Sequence, residues 1–454
     1  MEFYLPIPDN GRRQLAVGWL ILGLAALLGS GIFSVLLVLA RTPYVQNIFP
    51  SVDFFRTALV VHVDLSVLVW FLAFGGALWS LNSTPRFLAA GRIALLLAAV
   101  GALIIAAAPF FGAGEPLMSN YIPVLQHPLF LAGLLLFAAG FGVLTLRAMG
   151  AIPPVGPWME GAAALRFGLN TAAVSAMLAL IAFAWSYFTL PEFLHGKPYY
   201  ELLFWGGGHV LQFTYTLLML VAWLWLASAS GVGLSLSPRV ALIFFGFGLI
   251  AVFLTPIIYY SYPVTSVEHI KLFTWLMQYG GSLAALPLSL ALVHGLWRAG
   301  RAPDEAQPLR AALIASMILF GAGGVIGFLI TGTNVTIPAH YHGSIVGVTL
   351  AFMGLTYYLL PRLGYRRPDA KLARLQPYLY GGGQLLHVLG LVISGGYGVQ
   401  RKVAGAAQAL DTVERVAGMG LMGLGGLISV AGGFLFIYVC YRALREPWNV
   451  NAKP

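Results

Sequence analysis

The sequence predicts an all-α integral membrane protein, a bundle of twelve transmembrane helices. Three observations carry that prediction. Of 454 residues, 59% are hydrophobic and only 9% are charged, where a soluble chain carries about 25% charged residues. The mean hydropathy is +0.85. Apolar runs of about 20 residues, enough to cross a bilayer core at about 1.5 Å per residue, recur along the whole chain. A soluble enzyme, a disordered chain and a disulfide scaffold are excluded. The single cysteine, Cys440, rules out an intramolecular disulfide and a cysteine-held zinc or iron–sulfur centre.

Taken in order, the runs fall at 14–40, 55–81, 89–111, 124–149, 163–190, 200–228, 239–262, 267–297, 309–332, 337–361, 376–400 and 415–442. The polar stretch Met1 to Arg13 leads straight into the first run, so it is expected to be retained rather than cleaved. The 54 glycines and 26 prolines do not argue against helix, because spanning helices tolerate both. No internal repeat is visible, which disfavours a transporter built from two halves. A single domain over 1–454 is expected. With the N-terminus inside, inner loops hold 18 of the 25 basic residues and outer loops seven: Arg41, Arg56, Lys197, Lys271, Arg401, Lys402 and Arg415. That asymmetry puts both termini in the cytoplasm, and the inner membrane of a prokaryote is the expected location. The net charge of +10 is therefore a topology signal, and no nucleic-acid partner is expected.

An ionisable residue within a span marks function by default. Spans 2, 6 and 10 all run from outside to inside. His62, His209, His340 and His342 then lie within roughly 5–15 Å of the outer surface. Residues two apart on a helix point about 200° apart. His340 and His342 therefore suit two sites on opposite faces of span 10, and two haems flanking that helix fit the geometry. A low-spin haem needs two axial ligands, which His62 and His342 can supply; a high-spin haem needs one, which His340 can supply. His209 would face the open side of the second iron. The bland alternative for any one of them is an interhelical hydrogen bond.

Twelve spans with histidines in spans 2, 6 and 10 resemble the catalytic subunit of the haem–copper oxidase superfamily, which includes cytochrome oxidases and nitric oxide reductases. Ile337-Pro-Ala-His-Tyr-His-Gly343 resembles its His-aromatic-His motif. The resemblance makes His340 the proximal ligand of the high-spin haem and His342 a ligand of the low-spin haem. Val60-Val-His-Val-Asp64 resembles the segment carrying the other low-spin ligand, His62. Trp205-Gly-Gly-Gly-His209 resembles the segment with the first ligand of the active-site copper. Arg401 and Lys402 resemble the basic pair that neutralises haem propionates; two cations at the outer end of a helix suit that task.

The sequence also departs from the family. Where the family has two adjacent histidines at the outer end of span 7, Leu254-Thr-Pro-Ile-Ile-Tyr-Tyr-Ser-Tyr262 places Tyr259 and Tyr260. Phenols are poor copper ligands in a site of low charge. The span 6 tyrosine of several oxygen-reducing members is replaced by Phe213. Three readings stay open: a second metal, copper or non-haem iron, held by an unorthodox set such as His209 with His269, Glu268 or a tyrosine; a dihaem subunit with no second metal that passes electrons or reduces a small ligand at one haem; or Tyr259 and Tyr260 as redox or proton donors to a haem-bound ligand. His209, Tyr259 and Tyr260 are the candidate catalytic residues.

Other residues read more plainly. His269 and His127 are expected at an interface or a helix cap. His195 and His294 are not expected to bind haem, and His387 has no recognised counterpart. Asp64 is a buried acid facing away from the haem of His62. Trp19, Tyr44, Trp158 and Trp448 read as interfacial belts. The resemblance implies two haems, b-type by expectation, and a small-gas substrate, NO somewhat favoured over O2. It also implies lipid surroundings and an electron-donor subunit of cytochrome c or cupredoxin type.

Overall fold

The computed structural model describes residues 2–45, 52–112, 114–156 and 160–445. In chain order its helices are α1 (Gly11–Arg41), α2 (Val52–Val63), α3 (Trp70–Leu81), α4 (Leu88–Ala107), α5 (Pro128–Gly150), α6 (Gly161–Thr189), α7 (Gly196–Ala229), α8 (Pro238–Val252), α9 (Leu254–Ser261), α10 (Val267–Trp275), α11 (Ser282–Arg298), α12 (Gln307–Phe328), α13 (Thr336–Arg362), α14 (Ala370–Gly396) and α15 (Val413–Arg445). Among the described residues, eleven helical stretches are long and apolar enough to cross a membrane. The expected eleventh run, 376–400, falls on α14 and is not among them. It is helical but less apolar, because Gln376, Gln384 and His387 interrupt it and Lys371 and Arg374 occupy its first turns.

Several spans are bent for identifiable reasons. Pro256 removes the hydrogen bond to Val252, and the helix breaks there into α8 and α9. A π-helical turn, Asp64–Val69, joins α2 to α3 directly after His62, and a second, Leu276–Gly280, joins α10 to α11. Turns of this kind recur at functional sites. The start of the fourth run differs from expectation. Val124–Gln126 is strand β2, paired antiparallel with β1 (Glu115–Leu117), Glu115 opposite Gln126. His127 then caps α5, its Nδ1 accepting from Leu129 N at 3.3 Å, with Pro128 in the first turn. Trp19 is not interfacial: it is 1% exposed and packs over Gly76. Trp158 and Trp448 lie outside the described residues.

The chain divides into two compact units. The first comprises the chain up to Ala26 with Val63–Ser228 and Val232–Ala299; the second comprises Leu27–His62, Ala229–Gly231 and the chain from Gly300. In the first, α4 packs on α5, and Trp79 Nε1 donates to Leu169 O of α6 at 2.9 Å. In the second, α14 packs along α15 through glycines spaced by seven, Gly383 facing Gly425 and Gly390 facing Gly418, with Gly432 against Tyr380. A seven-residue spacing keeps one narrow seam on each helix, and small residues let the backbones approach. A Cβ on Gly425 would collide with the His387 amide nitrogen and stand 2.6 Å from Gly383 O.

Gly425→Ala is accordingly expected to lower the thermal midpoint of the purified protein, at a cost of about 1–3 kcal/mol for overpacking. Gly420→Ala, where a Cβ meets nothing within 4 Å, leaves the midpoint unchanged or raises it.

Candidate functional site

The second unit gathers three imidazoles. His342 of α13 and His387 of α14 have ring centroids 4.5 Å apart. His62 of α2 lies within electrostatic range of both. His62 Nδ1 is 3.1 Å from Ser30 O and 2.9 Å from Ser30 Oγ, and the Ser30 hydroxyl donates to His62 O at 3.2 Å. His387 Nδ1 is 2.9 Å from Met422 O of α15. The Gln384 side chain lies beside His342. His340, two residues before His342, turns to a different helix: its Nδ1 is 2.7 Å from Gly323 O of α12, with Gly327 leaving space for the ring. The two histidines of α13 thus serve different neighbours, α12 for one and α14 for the other.

These bonds fix chemistry as well as position. A carbonyl oxygen can only accept, so Nδ1 of His340 and of His387 must carry the proton. The lone pair is then on Nε2, the form in which a neutral histidine ligates metal.

Basic groups frame the same region. Arg41, at the end of α1, donates to Gln408 Oε1 at 3.3 Å and to Gln400 O at 3.4 Å. Its charge reaches both His342 and His387. Arg401 and Lys402 follow directly in the loop after α14, both half-buried. Lys402 has φ +61°, a left-handed conformation that costs a side-chain-bearing residue about 1–2 kcal/mol. The loop is tied back by Val335 N donating to Val399 O at 3.0 Å and by a bridge between Asn334 and Gln400.

The first unit holds a separate cluster. His209 of α7 donates from Nδ1 to Trp205 O at 2.7 Å, which leaves Nε2 to accept from Tyr121 OH at 2.8 Å. Tyr259 of α9 is 6% exposed, shares a 2.8 Å hydrogen bond with Ser186 Oγ, and sits edge-on to His269 at 4.8 Å. His269 is 0% exposed, not interfacial as its place at the start of a span suggests. Neither of its ring nitrogens has a partner at hydrogen-bonding geometry, though the Tyr262 backbone approaches the ring. Tyr260 stands outside the cluster at 87% exposure, since consecutive helical residues point about 100° apart. Asp64 is 0% exposed near Tyr215, and both its carboxyl oxygens lack a hydrogen-bond partner. Glu268, His195 and His294 are exposed.

The two donor sets differ in what they fit. The imidazoles of the second unit suit haem iron, with tautomers set by backbone carbonyls and cations nearby for propionates. The first unit does not suit a second metal. No group of three His, Cys, Asp or Glu side chains that could hold one occurs among the described residues, and the lone pair of His209 is spent on a phenol. Sequence reasoning missed His387, Arg41 and Tyr121. For His387 the available signal was an ionisable residue in the middle of an apolar run; Tyr121 lies in the connection between β1 and β2, with no signal.

Tyr121→Phe strips His209 Nε2 of its donor and is expected to cost about 1–3 kcal/mol in thermal unfolding. The double variant Tyr121→Phe/His209→Leu recovers part of that loss, because removing both partners is cheaper than stranding one.

Residues 14–431 match the family described as Cytochrome C and Quinol oxidase polypeptide I. An uncharacterized protein of Rickettsia prowazekii (strain Madrid E) is 29% identical over 499 residues, 95% of this chain and 96% of its own length. One from Aquifex aeolicus (strain VF5) is 29% identical over 361 residues, 79% of this chain and 88% of its own. The cryo-EM structure of a heme-copper terminal oxidase dimer matches with a TM-score of 0.76 and 18% identity, over 98% of this chain and 86% of that one, a likeness of fold. The chain therefore belongs to the cytochrome c and quinol oxidase polypeptide I family, subunit I of the haem–copper oxidase superfamily.

Proposed function

We propose that the chain is the catalytic, dihaem membrane subunit of a respiratory terminal reductase acting on a small gas, NO or O2. The observation that carries the proposal is the pair His340 and His342, two residues apart yet seated against different helices, with His62 and His387 beside the second of them. In this reading His62 and His342 hold a low-spin b-type haem, and His340 is the proximal ligand of a high-spin one. Arg41, Arg401 and Lys402 neutralise propionates. Haem, when bound, supplies the electron transfer and gas chemistry. The chain's residues fix ring tautomers, screen charge and exclude water.

The reading extends to an electron-donor subunit of cytochrome c or cupredoxin type, and to one twelve-span domain with both termini in the cytoplasm of a prokaryotic inner membrane. NO is favoured over O2 because Phe213, 2% exposed, has no hydroxyl to supply a proton or an electron. A second reading is favoured by one observation, the phenol bond that occupies His209 Nε2. In it the subunit passes electrons between two haems, without a second metal and without gas turnover. Carbon monoxide separates the two: a five-coordinate haem binds it, a six-coordinate pair does so poorly.

A pyridine haemochrome spectrum with metal analysis is expected to return two b haems per chain and no stoichiometric copper or non-haem iron. Absence of haem overturns the proposal. His342→Ala is expected to lower the haem content from two to one per chain and to remove the low-spin signal in electron paramagnetic resonance, with the carbon monoxide-binding haem kept.

A further inference from the structure

A cavity of about 180 Å³ opens within the first unit, with a mixed polar and apolar lining. Leu5, Arg12, Asn82, Ser83 and Arg166 contribute to its lining, and no acidic side chain does. The volume is well above the roughly 10–15 Å³ that one water needs. Arg147 of α5 stands behind Ser83. Its Nη2 donates to Ser83 Oγ at 3.1 Å and its Nε to Phe87 O at 3.2 Å. Arg147 is 3% exposed, and its Nη1 is buried with no hydrogen-bond partner. Arg12 Nη1 donates to Ser83 O, and Arg12 is close enough to Arg147 for the two charges to repel. Arg166 makes no hydrogen bond or ion pair among the described residues. Asp9, near in sequence, is paired with Arg13 at 2.8 Å.

Arg147 is a buried cation with no carboxylate paired to it among the described residues, and the half-buried Arg12 and Arg166 add positive charge on the cavity side of Ser83; a buried charge without a partner is costly. Two further buried atoms in the same turn also lack partners, Asn82 Oδ1 and Thr84 Oγ1. The unmet donors ask for an oxyanion, and Asn82 Oδ1 asks for a hydroxyl. Hydrogen phosphate and a phosphoglycerol headgroup carry both. Guanidinium groups are suited to phosphate by their planar donor fork.

We propose that this cavity is a binding site for a hydroxyl-bearing phosphate group, held by Arg12 and Arg166 over the Asn82–Ser83 turn, with the buried charge of Arg147 behind Ser83. It stands apart from the haem reading and survives or fails without it.

The test uses the full chain in detergent and in nanodiscs. Sodium phosphate is titrated against sodium chloride at equal ionic strength, with thermal unfolding as readout. Separately, phosphatidylglycerol replaces phosphatidylcholine, and native mass spectrometry counts retained lipid. Arg166→Gln, at a half-buried residue that makes no bond, and Arg12→Gln are compared with Arg92→Gln, exposed and outside the cavity. A phosphate-specific rise in midpoint, with affinity weakened at least tenfold by Arg166→Gln or Arg12→Gln but not by Arg92→Gln, supports the site with free phosphate as ligand. Phosphatidylglycerol retention lost in the same two variants supports it with a lipid headgroup as ligand. The proposal is overturned if neither phosphate nor phosphatidylglycerol gives a specific effect, or if all three variants respond alike.

Discussion

An imidazole placed in hydrocarbon gains by finding a hydrogen-bond partner inside the protein, and four histidines of this structure are arranged by that need, with His269 the buried exception. His62, His209, His340 and His387 all bring Nδ1 to a backbone carbonyl, those of Ser30, Trp205, Gly323 and Met422. Reaching a helix backbone requires that the helix be thin at that point. Gly327 opens the space beside His340, and Gly425 and Gly426 open it beside His387. The glycines of the α14–α15 seam therefore do two jobs: they let two helices approach, and they allow an imidazole to be satisfied between them.

The same need separates the two clusters. In the second unit the carbonyls of Gly323 and Met422 accept from Nδ1–H of His340 and His387, which keeps the proton on Nδ1 and leaves Nε2 a base. In the first unit His209 meets a carbonyl on one side and a phenol on the other, so both its nitrogens are engaged. Tyr259 turns its hydroxyl to Ser186. A ring satisfied twice offers nothing to a metal unless Tyr121 withdraws. The chemistry open to each cluster is thus decided by the second partner of each ring rather than by the number of histidines.

The spans were legible because hydrophobic length is a strong signal, and α14 is the exception for the same reason: its glutamines and histidine dilute it. The opposed directions of His340 and His342 followed from helical geometry alone. His269 was misjudged because its position at a span start suggests an interface, whereas the break at Pro256 and the packing of Phe273 enclose it. Tyr259 and Tyr260 were indistinguishable as a dipeptide; which one turns inward depends on how α9 is set after the break. Tyr121 and Arg41 act through space from segments remote in sequence from the rings they meet, and periodicity carries no information about such contacts.

The loop carrying Arg401 and Lys402 is stitched to the beginning of α13 by Val335–Val399 and Asn334–Gln400 pairing. The position of these cations relative to His340 and His342 is consequently set by two backbone links and a single helical turn or two. The remainder of α13 and all of α14, which separate them along the chain, do not enter. Charge and ring are thereby held to one another by short local links rather than through the length of either helix.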